Sequence, residues 1–412
     1  MKKLFICTMM AVAAFTSWGA NIKHPAYAYP ENSPVATYGA LQVKGLQLSD
    51  KNGNPVQLSG MSSMGLQWCA NCYTRESIEN LVKEWNINVF RIAVYVEEGG
   101  YNKDPEGTLK RIIQIIDWCG ELGIYCIVDW HVLTPGNPFA PAYSGAEEFF
   151  RSIASRYARK EHVIYEICNE PNNCAAKDNP KAPWECTKKD LVMWETIAEY
   201  ADKIIPVIQE SYDEANAPHP IIIVGTPQWD QLVDAPVKQG RFEENGKDIN
   251  DPLPDRDALL KYDNIMYAFH FYAAEHNEGF RQDGKMYYYN MYAYMYKVLG
   301  KLPVFCSEFG VTEASGDGKM DFGRTDSWLF LLSGYNAGNQ KVSFINWSYS
   351  DKGEASAALK GGACAKKEWN NFSFSGNYMK KVITVVNTGR EDPEVLRPEN
   401  LTNLKRYLEL NW

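Results

Sequence analysis

Short apolar runs of strand length alternate with longer amphipathic stretches along most of the chain, an order that few folds accept. Extended segments are predicted at residues 56–62, 89–94, 125–129, 163–169, 221–225, 265–272, 304–308 and 342–348. Helices are predicted at 77–85, 108–122, 146–158, 191–210, 286–299, 325–337 and 377–386. Buried strands in repeated strand–helix order imply a parallel sheet closed on itself, the α/β class with a (β/α)8 TIM barrel. The 412 residues suffice for one such domain, since these barrels take about 250 residues or more. The weakest stretch is 229–264, whose Asp, Pro and Gly content predicts a long loop with only a short helix near 258–260. Upstream, residues 41–48 alternate in polarity and run into Asp50-Lys51-Asn52-Gly53, a turn leading to the first strand, so an N-terminal β-hairpin is expected. Asp50, Asn52 and Asn54 have the spacing that opens a calcium loop, yet Gly53 is out of place and Met61 stands at the twelfth position, so no calcium site is expected.

The ends of the chain read differently. Lys2 and Lys3 precede an apolar stretch too short to span a membrane, so residues 1–19 are expected to be a signal peptide and the mature protein to be secreted or periplasmic. Cys7 lacks the small residues that should precede a lipidated cysteine. Residues 20–36, rich in Pro and without periodicity, read as a leader or linker, 37–388 as the barrel domain, and 389–412 as a short C-terminal helical extension packed on its outside. Loss of Lys2 and Lys3 takes the formal charge from −9 to −11, which argues against nucleic acid or an anionic membrane surface as partner and fits a neutral substrate. A monomer is expected.

Ten cysteines include Cys7, so an odd number would remain in an oxidising compartment. Cys119, Cys126, Cys168 and Cys306 fall inside predicted elements and read as small buried hydrophobes. Cys174 and Cys186 flank a polar, Pro-containing loop, for which a disulfide is expected. Cys69 and Cys72 are spaced for a short bridge or half a zinc site; the chain has no second such pair, so no metal is expected.

The chemistry is concentrated at two strand ends. The run from Val163 closes on Asn169-Glu170-Pro171, and the run from Val304 closes on Glu308-Phe309-Gly310. Active sites of such barrels lie at the carboxyl ends of the strands, and two glutamates delivered there suit a retaining glycosidase, one as acid/base and one as nucleophile, with carboxyl groups about 5–5.5 Å apart. The other strand ends are also polar or aromatic: Arg91, His131 after Asp129-Trp130, His270, Tyr272 and Trp347. Each alone reads as readily as a core salt bridge, a satisfied histidine or a packing ring; together they define a candidate site. Twelve Trp and 25 Tyr supply rings on which sugar faces can stack, though core packing must account for most of them.

Over about residues 40–386 the chain resembles glycoside hydrolase family 5, the cellulase family, in its bacterial endoglucanase branch. The resemblance rests on Gly60-Met61-Ser62-Ser63-Met64-Gly65-Leu66-Gln67-Trp68, Asn88-Val89-Phe90-Arg91, Asp129-Trp130-His131, Asn169-Glu170-Pro171, Gly225-Thr226, His270-Phe271-Tyr272, Glu308-Phe309-Gly310 and the run from Trp347 to Lys352, in the family's order. It implies a retaining endo-β-1,4-glucanase with Glu170 as acid/base and Glu308 as nucleophile, supported by Arg91, His131, Asn169, His270 and Tyr272, with Trp68, Trp229, Trp347, Lys352 and Glu354 binding sugar. A β-1,4-glucan is the implied partner, and no cofactor is needed. Relatives acting on mannan, xyloglucan or mixed-linkage glucan, and a non-catalytic glycan-binding barrel, are the alternatives. The chain departs from the family at Met64, where a histidine is usual, which puts one substrate hydrogen bond in question.

Overall fold

The computed structural model describes residues 24–172, 192–237, 259–276 and 291–390, with a few two-residue strand fragments in between. A two-stranded antiparallel hairpin, β1 (Gln42–Lys44) and β2 (Gln47–Ser49), precedes eight parallel strands: β3 (Ser59–Ser63), β4 (Val89–Tyr95), β5 (Tyr125–His131), β6 (Val163–Glu166), β7 (Ile222–Val224), β8 (Ile265–Tyr272), β9 (Val304–Gly310) and β10 (Phe344–Tyr349). Each pairs with the next in chain order, and β10 pairs with β3 to close the barrel. This is the expected (β/α)8 architecture.

Period-two alternation explains how one strand serves two layers. In β4, Phe90, Ile92 and Val94 point outward into the helical layer, whereas Val89, Arg91 and Ala93 point inward. Val89, Tyr125, Ile127, Ile164, Ile223, Met266, Phe305 and Ile345 fill the lower barrel. The helices are cut to match. Pro105–Leu122 starts at Asp104, whose carboxylate accepts from Gly107 N–H at 3.0 Å, has Pro at its first turn, and stops at Gly123 with φ +73°. These are an N-cap worth about 1 kcal/mol, a pre-set φ, and a left-handed stop that favours glycine. Between them Leu109, Ile112, Ile116 and Cys119 keep one face against the strands.

Several expectations are corrected. Residues 24–36, expected as a leader or linker, pack on the barrel: Tyr27 and Tyr29 surround His162, and Val35 at the start of helix Pro34–Tyr38 joins Leu41 and Leu48 in plugging the barrel floor. The hairpin turns at Gly45, not at Asp50–Gly53; the latter is a second turn, in which Asp50 Oδ1 accepts from the Asn52 and Asn54 N–H groups. Strand β6 stops at Glu166, three residues before Asn169, and Leu259 and Leu260 are not helical. The signal peptide 1–19, the C-terminal helical extension from residue 391 on, and both Cys174 and Cys186 lie outside the described residues. Among the described residues no helix is long and apolar enough to cross a membrane.

The cysteines also pair differently. Cys72 is bonded to Cys364, 292 residues away, and Cys69 is a free thiol, so Cys72 is committed elsewhere and the two do not bridge. Neither partner could be chosen from spacing, because the pair is made by the β3–β10 seam that closes the barrel. Cys119, Cys126, Cys168 and Cys306 are buried free thiols, as expected.

Candidate active site

Arg91 organises the upper barrel. It is fully buried, and its guanidinium reaches three carboxylates: Nε to Glu166 Oε2 at 2.7 Å, Nη1 to Glu308 Oε2 at 3.0 Å, and Nη2 to Asp129 Oδ2 at 3.0 Å. Nη2 also donates to Asn169 Oδ1 at 2.7 Å. Only a planar fork with five donors can serve so many acceptors at once, which lysine could not. Although burial works against its charge, Arg91 holds Glu166 down at about 2, with His270 helping. Asp129 is pushed well up by burial, and Arg91 opposes that shift.

The placement of Glu308 depends on an irregularity in β9. Ala268 of β8 sits opposite Phe305, but His270, two residues on, sits opposite Glu308, three residues on. The extra residue in β9 is a bulge, and it lets Ser307 and Glu308 both face the interior. Ser307 Oγ lies 2.9 Å from His270 Nε2, while Glu308 Oε1 accepts from the Tyr272 hydroxyl at 2.8 Å. Burial and the Glu308 and Glu170 charges push the Tyr272 phenol well up, so it remains a donor. Glu308 is thus held at one oxygen by a phenol and at the other by a guanidinium.

Glu170 follows β6 through a backbone reversal at Asn169, whose φ is +38°. The Asn169 amide is tied at both ends, accepting from Arg91 and donating to Val132 O at 3.0 Å. Gly225 is required here, since a Cβ would meet Pro171 Cδ at 2.6 Å and Asn169 O at 2.9 Å. Glu170 Oε1 lies 2.9 Å from His270 Nδ1. One carboxylate oxygen of Glu170 and one of Glu308 lie within 4.8 Å of each other.

His131 and His270 have opposite electrostatics. Burial and Arg91 lower His131 to about 4. Its neutral ring therefore donates from Nδ1 to Asp129 Oδ2, 2.6 Å away, leaving Nε2 as an acceptor towards Asn169 Nδ2 at 3.4 Å. Trp347 stacks on His131 at 5.8 Å and 14°, and Tyr95 lies on it at 4.1 Å. Burial alone would push His270 down too, but Asp230, Glu166 and Glu170 hold it well above the ordinary histidine value.

The structure therefore brings Arg91, His131, Asn169, Glu170, His270, Tyr272, Glu308 and Trp347 into one contiguous cluster. Trp68 stands at its rim, 48% exposed and edge-on to Tyr95 at 4.8 Å. Trp229 is half-buried beside the Glu170 loop, its backbone N–H donating to Pro171 O at 3.2 Å. Lys352 and Glu354 form an ion pair with each other on the loop after β10, without contact to the carboxylate cluster. Met64 is buried against Tyr95, Tyr272 and Trp347, an apolar contact where a histidine would offer a donor.

Sequence reasoning missed Asp129, Glu166, Asp230 and Ser307 as site residues. Two left a signal: Asp129 is in phase with inward Tyr125 and Ile127, and Glu166 with inward Ile164, so a carboxylate on that face had to meet a cation. Asp230 and Ser307 left none. Glu170, His270 and Glu308 also have the mutual spacing of a metal site. Their donor atoms, however, already satisfy one another or are taken by Tyr272 and Arg91.

A sequence model of the cellulase family, glycosyl hydrolase family 5, matches residues 49–353. The chain is 36% identical over 358 residues to Endoglucanase E-5 of Thermobifida fusca, covering 85% of this chain and 65% of that protein. It is 37% identical over 344 residues to Cellulase CelDZ1 of Thermoanaerobacterium sp, covering 82% and 78%. Among solved structures, Cellulase Cel5C_n superposes with a TM-score of 0.70 at 38% identity, over 87% of this chain and 95% of that one. The catalytic domain of Thermobifida fusca endoglucanase Cel5A in complex with cellotetraose gives 0.66 at 33% identity, over 85% and 99%. The chain spans just under two thirds of Endoglucanase E-5, and 59% of Endoglucanase MaCel5A of Microbulbifer sp..

Proposed function

The chain belongs to the cellulase family, glycosyl hydrolase family 5, and on that premise we propose that it is a retaining endo-β-1,4-glucanase hydrolysing internal bonds of cellulose and related β-glucans. The observation that carries this reading is the approach of Glu170 and Glu308 to within 4.8 Å at the barrel mouth. That spacing suits covalent double displacement and leaves no room for the water an inverting pair holds between its carboxyl groups. The cellotetraose bound by the Cel5A relative supports a β-1,4-glucan as substrate.

In this reading Glu308 attacks the anomeric carbon while Glu170 protonates the leaving oxygen; Glu170, then ionised, takes a proton from the water that releases the sugar. Tyr272 and Arg91 aim the attacking carboxylate. Asn169, fixed by Arg91 and Val132, is placed to hold the sugar 2-hydroxyl, a contact that strengthens as the oxocarbenium-like transition state forms. Trp347 forms a floor for the sugar, with Trp68, Trp229, Lys352 and Glu354 at outlying subsites. Export by residues 1–19 belongs to the same reading, supported by the Cys72–Cys364 disulfide, which suits an oxidising compartment.

A polysaccharide panel with product analysis tests it. Carboxymethyl cellulose should lose viscosity rapidly, with short cello-oligosaccharides released in the β configuration. Hydrolysis confined to mannan or xyloglucan would move the substrate elsewhere in the family, and binding without hydrolysis would make the barrel a glycan-binding module. The exposed Trp68 and the half-buried Trp229 supply a second expectation. Trp68→Ala and Trp229→Ala should each raise KM on long glucans roughly tenfold, the loss of about 1.4 kcal/mol of stacking, with little change in turnover of short activated glycosides. Unchanged cello-oligosaccharide affinity in both variants would make these rings packing residues.

A further inference from the structure

Beyond the Glu170 and Glu308 pair, the barrel mouth holds a buried carboxylate that this mechanism does not use. Asp230 is fully buried. Its Oδ1 accepts from Thr226 N–H at 2.5 Å, while its Oδ2 has no hydrogen-bond partner and faces His270 Nε2 at 3.3 Å. A buried carboxylate oxygen without a donor is costly and calls for a cause. The backbone that delivers it is unusual as well: Gln228, Trp229 and Asp230 have φ of 60°, 55° and 59°, three successive non-glycine residues in the left-handed region. The turn is anchored beside Glu170, since Trp229 N–H donates to Pro171 O.

We propose that Asp230 is a positioning residue that keeps the His270 imidazole charged and oriented, with Nε2 directed inward and Nδ1 presented to Glu170. The proposal rests on the reading of Glu170 as acid/base. Every element packed against the ring contributes a charged group: Asp230 from the turn after β7, Glu166 from β6 with Oε1 at 3.7 Å, Glu170 from the loop after β6, and Glu308 from β9. Glu166 is largely committed to Arg91, which it binds through both oxygens, and Glu308 to Arg91 and Tyr272. Asp129 lies one shell out, also on Arg91. The neighbouring Cys168 and Cys306 thiols are pushed well up by burial and stay neutral. Apart from Glu170, which the ring itself serves, Asp230 is therefore the one carboxylate among the described residues around the ring with no cation other than His270 in contact. Burial pushes the Asp230 carboxyl well up, and the facing imidazolium opposes that shift.

The consequence is a His270 that meets both protonation states of Glu170. With Glu170 ionised, the charged ring donates from Nδ1; when that proton passes to Glu170, the ring becomes neutral and accepts there, while the Asp230 charge at 3.3 Å favours retaining the proton on Nε2, whose hydrogen-bond partner is Ser307 Oγ. The alkaline limb of the pH profile belongs to this coupled pair rather than to either residue. A nearby negative charge raises proton affinity, so its removal moves that limb to lower pH.

The test is the pH dependence of kcat/KM on phenyl β-cellobioside for the parent, Asp230→Asn and Asp230→Glu. Asp230→Asn should move the alkaline limb to lower pH by about one unit or more, Asp230→Glu should restore part of the shift, and neither effect should persist in a Glu170→Gln background. An Asp230→Asn profile that is merely scaled down, with its limb unmoved, overturns the proposal. Glu170→Ala on 2,4-dinitrophenyl β-cellobioside separates the two readings. If it slows the glycosylation step there as severely as on phenyl β-cellobioside, the acid/base reading of Glu170 fails; if it spares that step while the Asp230→Asn limb stays put, only the role of Asp230 fails. Should Asp230→Asn not fold, 15N resonances of the parent decide: His270 protonated on both nitrogens at neutral pH is expected, and a bare Nε2 overturns the proposal.

Discussion

Glu308→Gln and Glu170→Gln should each lower turnover of carboxymethyl cellulose by roughly a thousandfold or more, in the range of losing a nucleophile or a general acid/base. The fold should survive, because each amide is nearly isosteric and Arg91 keeps Glu166 and Asp129 as partners. The losses should differ in kind. Glu308 is held at both oxygens while Glu170 is held at one, by His270, and is 13% exposed, an arrangement that suits one group for attack and the other for exchanging protons with solvent. Azide should restore activity to Glu308→Gly with formation of the α-glycosyl azide, since the anion takes the nucleophile's place and inverts the centre. With Glu170→Ala it should give the β-glycosyl azide, because the anion attacks an intermediate already formed on Glu308. The opposite pair of products would exchange the two roles.

The second large effect is on stability. Cys72 follows β3 and Cys364 follows β10, so their disulfide ties the loops above the seam where the first and last barrel strands meet. A crosslink across 292 residues removes more unfolded-chain entropy than a local one; the chain-entropy model gives about 5 kcal/mol for loops of a hundred residues or more. The Cys72→Ala/Cys364→Ala double variant should therefore unfold at distinctly lower temperature and denaturant concentration, by an amount equivalent to about 3–5 kcal/mol. Reduced parent should match it. Cys69→Ser, which removes a free thiol, should leave the midpoint nearly unchanged and serves as control. A double variant as stable as the parent would mean that strand pairing alone holds the seam.

Sequence reasoning was most reliable where one segment carries its own signal. Residues 125–129 and 265–272 read as strands because apolar residues, most of them β-branched or aromatic, dominate there, and 108–122 read as a helix from its amphipathic pattern; the structure extends the first to His131 and starts the helix a turn earlier, at Pro105. Residues 24–36 misled because a Pro-rich segment with no period carries no sign that Tyr27, Tyr29 and Val35 have a surface waiting for them.

By itself the sequence determined the order of strands and helices, hence the barrel, and placed two glutamates at its carboxyl-end face, one within β9 and one just past β6, because these follow from local periodicity and turn chemistry. Strict alternation from inward Phe305 would have turned Phe309 into the barrel and Glu308 out of it; the bulge in β9 reverses this, and its register exists only against β8 and β10. The tertiary structure alone likewise decided that Arg91 is shared among Asp129, Glu166 and Glu308, that Asp230 faces His270, and that Cys72 finds Cys364. Each of these joins residues far apart in the chain through the closure of the barrel, and no local propensity encodes a distance that only a closed sheet creates.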